Sequence, residues 1–223
     1  MNDDMEWHTV DDTAFTNTTP VSNRDVTINT TPICPNMTNK EFRKEAMRAR
    51  DIGVELIKRR IEGLARWDEK EHERVSNFFG RADDATKKVL SDGLPRLLAA
   101  MQQLVPEKIV RWDSATNRML SCVPPLDKGT NHAAVCKPDS EKRVIAIYSA
   151  YCESPFGFLR GTCKIKTIIH ECTHFTDTFN SRDWAYADKE SSLRVYALMK
   201  PEKAIENADS IVGYIANFDK VIS

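Results

Sequence analysis

The sequence has no excess of either charge: 32 Lys and Arg stand against 33 Asp and Glu, a formal net charge of -1. Without a global field to draw it to a polyanion, the chain is not expected to bind nucleic acid. The basic run Lys58-Arg59-Arg60 sits among alternating signs in a helical pattern and reads as a solvated face. No apolar run approaches the roughly 18 residues that a bilayer span requires, so no membrane span is expected. The opening MNDDMEWHTV lacks a basic region followed by an apolar stretch, and no classical signal peptide is read there. CxxC pairs are missing too, which argues against a cysteine-rich zinc finger. No internal repeat is visible.

What is present fits one domain of ordinary size, since 223 residues suffice for a core without crosslinks or metals to hold it. Residues 1–36 are polar, with the runs TNTTP and TINTTP, and read as a flexible N-terminal segment ahead of a domain over 37–223. Thr38 and Glu41 have capping-box spacing, and the apolar residues from Phe42 to Leu64 recur at helical intervals, predicting a helix over 39–67. A short helix over 70–79 should stop at Gly80, and a third spans 84–105 with Pro95 inside it, as a kink or a break. Residues 118–123, 133–137 and 144–151 (VIAIYSAY) read as strands of a small antiparallel sheet. Helices follow from Lys164 to Phe175, from Trp184 or Tyr186 to Met199, and from Pro201 to Asn217. The fold class is thus α+β, mainly helical. Six cysteines are an even number that admits 15 complete pairings, which slightly favours oxidising surroundings.

The sharpest local pattern is His170-Glu171-Cys172-Thr173-His174, preceded by Thr167-Ile168-Ile169. Residues four apart share a helix face, so both imidazoles can reach one ion from the same side. Glu171 is offset by one position toward the open coordination site, where it can take a proton from a metal-activated water. Cys172 and Thr173 are small enough not to block the approach. The alternative is an exposed helix surface with histidines by chance, but the apolar residues ahead of the motif argue that this helix is buried. A catalytic zinc also needs a third protein ligand. Asp177 and Asn180 occupy the glycine and third-histidine positions of the long metzincin motif, which excludes that class. Asp183 and Glu190 compete for the place, with Asp177 behind, and Asp183 could equally cap the next helix. Two histidines and a carboxylate also suit non-haem Fe(II), although nothing here indicates an oxidant-binding cofactor.

Asn180-Ser181-Arg182-Asp183-Trp184-Ala185-Tyr186-Ala187, following the two-histidine motif, resembles the GTxDxxYG motif of the aspzincin metalloendopeptidases, the deuterolysin and peptidyl-Lys metalloendopeptidase family. The likeness covers residues 34 to about 218 and is strongest after 144. It implies a zincin-like domain built around the HExxH helix and a zinc-dependent endopeptidase acting on protein or peptide substrates. His170, His174 and Asp183 would hold Zn2+, Glu171 would act as general base, and Tyr186 would hydrogen-bond the developing oxyanion. By the same resemblance Cys34 would pair with Cys122 and Cys136 with Cys152, leaving Cys163 and Cys172 unassigned. Asp209 matches the first acidic substrate-binding position of lysine-selective members, but Val212 stands where a glutamate is expected, so strict lysine selectivity is not. Asn180 and Ala187 replace both glycines of the second motif, and Ser181 replaces its threonine while keeping a hydroxyl. Two rival readings are a catalytically silent metal-containing interaction protein and a cell-wall peptide amidase or toxin. The leaderless opening would suit an effector delivered outside the producing cell, with export machinery or a cognate inhibitor as partner; a cytoplasmic site is the alternative.

Overall fold

The structure is a computed structural model that describes residues 32–112, 120–123, 126–157, 161–187 and 189–217. Helix α1 (Asn39–Arg66) starts at the expected capping box: the Thr38 hydroxyl accepts the Glu41 N–H and the Glu41 carboxylate accepts the Thr38 N–H. Its buried stripe, including Phe42, Ala46, Leu56, Ile57 and Leu64, packs mainly on α3 (Asp84–Gln103) and α5 (Lys164–His174). Helix α2 (Glu69–Phe79) ends at Gly80, whose φ of 74° is the left-handed turn that glycine adopts without strain.

Pro95 does not break α3, which runs without interruption from Asp84 to Gln103. It lies on the exposed face together with Ser91, the residue whose carbonyl a proline at this position leaves unbonded, so water can serve that carbonyl. Strands β1 (Ile109–Arg111), β2 (Ala133–Val135) and β3 (Ile145–Ile147) form one sheet in the order β1-β3-β2. The sheet is mixed rather than purely antiparallel: β3 pairs antiparallel with β2 and parallel with β1. Residues 120–123 are not a strand, and 118–119 lie outside the described residues; Ile109–Arg111, unforeseen, takes that place in the sheet. The apolar run after Val144 is strand only as far as Ile147, and helix α4 (Ser149–Glu153) takes its end.

Two C-terminal expectations also need correction. Helix α6 (Glu190–Met199) begins later than Trp184 or Tyr186, and the helix from Pro201 is split into α7 (Pro201–Ala204) and α8 (Ala208–Ala216). Pairing of the two segments accompanies both: the Ala185 and Ala187 amides donate to the Asn207 and Asp209 side chains. Arg182 donates its N–H to the Glu206 carbonyl and accepts from the Ala208 N–H, so each segment spends its main-chain groups on the other instead of on helix.

The disulfides join Cys34 to Cys152 and Cys122 to Cys136, not the pairs that the resemblance implied. Cys34 is fully buried in the main core, where the Asn36 side chain reaches the Cys152 carbonyl, whereas Cys122 and Cys136 belong to a separate small cluster with Leu120 and Val144. Their Cα separations of 5.5 and 5.7 Å suit a bridge. No helix among the described residues is long and apolar enough to cross a membrane.

Candidate active site

Helix α5 is buried on almost every side, and this fixes its orientation. Ile165, Ile168, Ile169 and Cys172 enter the core, which leaves His170, Glu171 and His174 to line a cleft of about 950 Å³. The two imidazoles stand edge to face with centroids 4.8 Å apart. The chain then turns through Asn180, at φ 50°, and brings Asp183 beneath them. Lys137 stabilises this turn by donating to the Asn180 and Ser181 carbonyls.

Asp183 Oδ1 lies 3.2 Å from His170 Nε2 and 3.4 Å from His174 Nε2. Ligands about 2.0–2.1 Å from a tetrahedral zinc stand about 3.3 Å apart, the edge of that tetrahedron. Two of the three donor separations thus match that edge, and all three atoms lie within 4.8 Å of one another, a set that can close on one divalent cation. Glu190, the rival third ligand, heads α6, and the Asp177 carboxylate is held by Arg143 instead.

The far side of each ring is fixed as well. His174 Nδ1 lies 3.1 Å from the Ser181 carbonyl, which can only accept, so the proton sits on Nδ1 and the Nε2 lone pair is free. Thr173 donates its hydroxyl to the His170 carbonyl; Ser181 must then donate to Thr173, and its remaining lone pairs can serve the same His174 N–H. His170 Nδ1 lies 2.8 Å from Asp209 Oδ1.

Burial works against a charged His170, but the bonds to Asp183 and Asp209 outweigh it and raise the metal-free imidazole to about 10. Asp183 is likewise disfavoured by burial, and the two histidines overturn this and hold its carboxyl well below the usual carboxylate range. Glu171 is 5 % exposed, and burial raises its carboxyl despite the adjacent imidazoles, as suits a base that must accept a proton near neutral pH. Tyr186, 79 % exposed at the cleft, stands beside Asp183; partial desolvation and that carboxylate push its phenol up to about 12, so it is a proton-bearing donor at neutral pH.

Sequence reasoning missed Tyr148. It lines the cleft, is 3 % exposed, and its buried hydroxyl has no hydrogen-bond partner among the described residues. The apolar run around it signalled a strand and gave no hint that the strand would end at the cleft. His132, on the opposite wall, was also missed; burial and the nearby His170 lower its pKa.

Residues 65–216 match the family model described as Lysine-specific metallo-endopeptidase, of the aspzincin M35 type. Among solved structures, a zinc peptidase from Grifola frondosa is similar with a TM-score of 0.59 and 17% identity, over 79% of this chain and 95% of that one, a likeness that shows the fold alone. No curated protein matches. The family match spans most of the chain and includes the His-His-Asp cluster, so the chain belongs to the aspzincin family of metalloendopeptidases.

Proposed function

We propose that this protein is a zinc endopeptidase that hydrolyses peptide bonds in extended polypeptide substrates, with His170, His174 and Asp183 as metal ligands. The observation that carries this reading is the tetrahedral-edge spacing of Asp183 Oδ1 from both Nε2 atoms. Zn2+, when bound, supplies Lewis acidity to a water molecule and to the substrate carbonyl. Glu171 takes the proton of the attacking water and returns it to the leaving amine. The Tyr186 hydroxyl donates to the carbonyl oxygen as negative charge develops there. Tyr148, with its unspent donor, is a second hydroxyl that can turn to the substrate.

The extended-substrate part rests on β2. It is an edge strand of the described sheet, the one on the cleft side, and the cleft is lined by Thr130 to Val135, so a peptide can add to its outer edge by main-chain hydrogen bonds. Two disulfides support action in an oxidising compartment outside the producing cytoplasm. The test is metal analysis of the purified protein together with cleavage of a peptide library, with and without chelator. Stoichiometric zinc and chelator-sensitive endoproteolysis are expected; stoichiometric iron without zinc, or cleavage indifferent to chelator, would refute the proposal.

A further inference from the structure

The family description raises the question of where a lysine side chain would find a counter-charge. Three carboxylates line the cleft among the described residues, those of Glu171, Asp183 and Asp209. Asp183 faces the two Nε2 atoms, and Glu171 is buried beside them. Asp209, the residue that the resemblance assigned to substrate binding, spends both oxygens on the protein itself. Its Oδ1 lies 2.8 Å from His170 Nδ1, and its Oδ2 accepts the Ala187 N–H at 2.9 Å.

Those two bonds join three parts of the site. Asp209 stands in the first turn of α8; His170 belongs to α5; Ala187 ends the segment that carries Asp183 and Tyr186. Asn207, one turn boundary earlier, repeats the contact by accepting the Ala185 N–H at 3.0 Å. A carboxylate that accepts from Nδ1 leaves the imidazole neutral with its Nε2 lone pair aimed at the ion. Among the described residues the rest of the cleft wall adds no further carboxylate: Lys137, Lys166 and Arg182 are cationic, and Val212 is apolar.

We propose that Asp209 is a positioning residue of the metal centre, setting the tautomer of His170 and pinning the ligand segment, and that this role, rather than recognition of a lysine side chain, is what the residue supplies. The second half rests on the peptidase reading; the first stands on metal binding alone.

The experiment compares wild type with Asp209→Ala and Asp209→Asn. Zinc affinity is measured by chelator competition, and the Co2+-substituted proteins by visible absorption. Activity is read as kcat/KM on two peptides that differ only in lysine or glutamine next to the cleaved bond. Asp209→Ala should weaken zinc about 10–100-fold and alter the Co2+ spectrum. Asp209→Asn is nearly isosteric and covers the case in which the alanine variant does not fold. It has one acceptor oxygen for two donors, and should weaken zinc by at least severalfold. The ratio of the two kcat/KM values should not move in either variant. Unchanged zinc affinity with a selective loss on the lysine peptide would overturn the proposal. Weakened zinc binding in a protein that cleaves neither peptide would support the positioning role and refute the peptidase reading.

Discussion

Gly93→Ala tests whether the ligand segment is held in place by packing remote from the metal. Gly93 is buried in α3, and a Cβ built on it would lie 2.2, 2.5 and 2.7 Å from three ring atoms of Phe179. Ordinary carbon contacts are about 3.5–4.0 Å, so the ring must retreat by more than an ångström. Two effects oppose each other. Alanine improves helix propensity by about 1 kcal/mol, while overpacking costs about 1–3 kcal/mol. The overlap involves three atoms of a rigid ring, so the cost should prevail by about 1 kcal/mol, a Tm lower by about 2–4 °C for a domain of this size. Phe179 immediately precedes Asn180 and Ser181, so its displacement should also weaken zinc severalfold. Thermal unfolding and chelator competition read the two effects separately. Phe179→Leu added to Gly93→Ala should recover both. A Gly93→Ala protein more stable than wild type, with unchanged zinc affinity, would show that Phe179 does not hold the ligand segment in place.

Glu171→Gln should keep zinc while losing about 10²–10⁴-fold in kcat, measured on an unfolded protein substrate. Tyr186→Phe should lower kcat by about 10²-fold or more with little change in KM, because its donor acts as charge develops on the carbonyl oxygen. Removing Cys34–Cys152, which closes a loop of sequence separation 118, should destabilise by up to about 5 kcal/mol; removing Cys122–Cys136, with separation 14, by about 3, both read from denaturant unfolding. In chelated protein the raised pKa of His170 contributes stability that is complete below the unfolded value near 6.5 and is lost as pH rises toward about 10. Its Tm should therefore fall across that window, and zinc, which requires the neutral ring, should remove this component.

Much of the site was legible because its residues are close in sequence and follow local rules. A helix turn sets His170 beside His174, and the capping box and Gly80 mark helix ends through local hydrogen bonding and backbone freedom. Spacing alone left Asp183 level with Glu190; the resemblance chose Asp183, and the structure brings that carboxylate under both rings. What failed depended on partners distant in sequence. The segment Trp184–Ala187 has a helix-compatible sequence, yet the Ala185 and Ala187 amides are taken by Asn207 and Asp209. The parallel pairing of β1 with β3 joins Ile109 to Ile145, a contact for which neither strand carries a local signal. The disulfide partners were decided by which core each cysteine enters, and Asp209 faces His170 only because α8 packs against α5.

The proposed metal centre requires one helix turn and the segment after it to converge on a single ion. Anomalous diffraction at the zinc edge from crystals of the zinc-loaded protein tests it most directly. One peak is expected, within about 2.0–2.2 Å of His170 Nε2, His174 Nε2 and an Asp183 oxygen. A well-ordered zinc-loaded structure with the Asp183 carboxylate turned away from both imidazoles would contradict it.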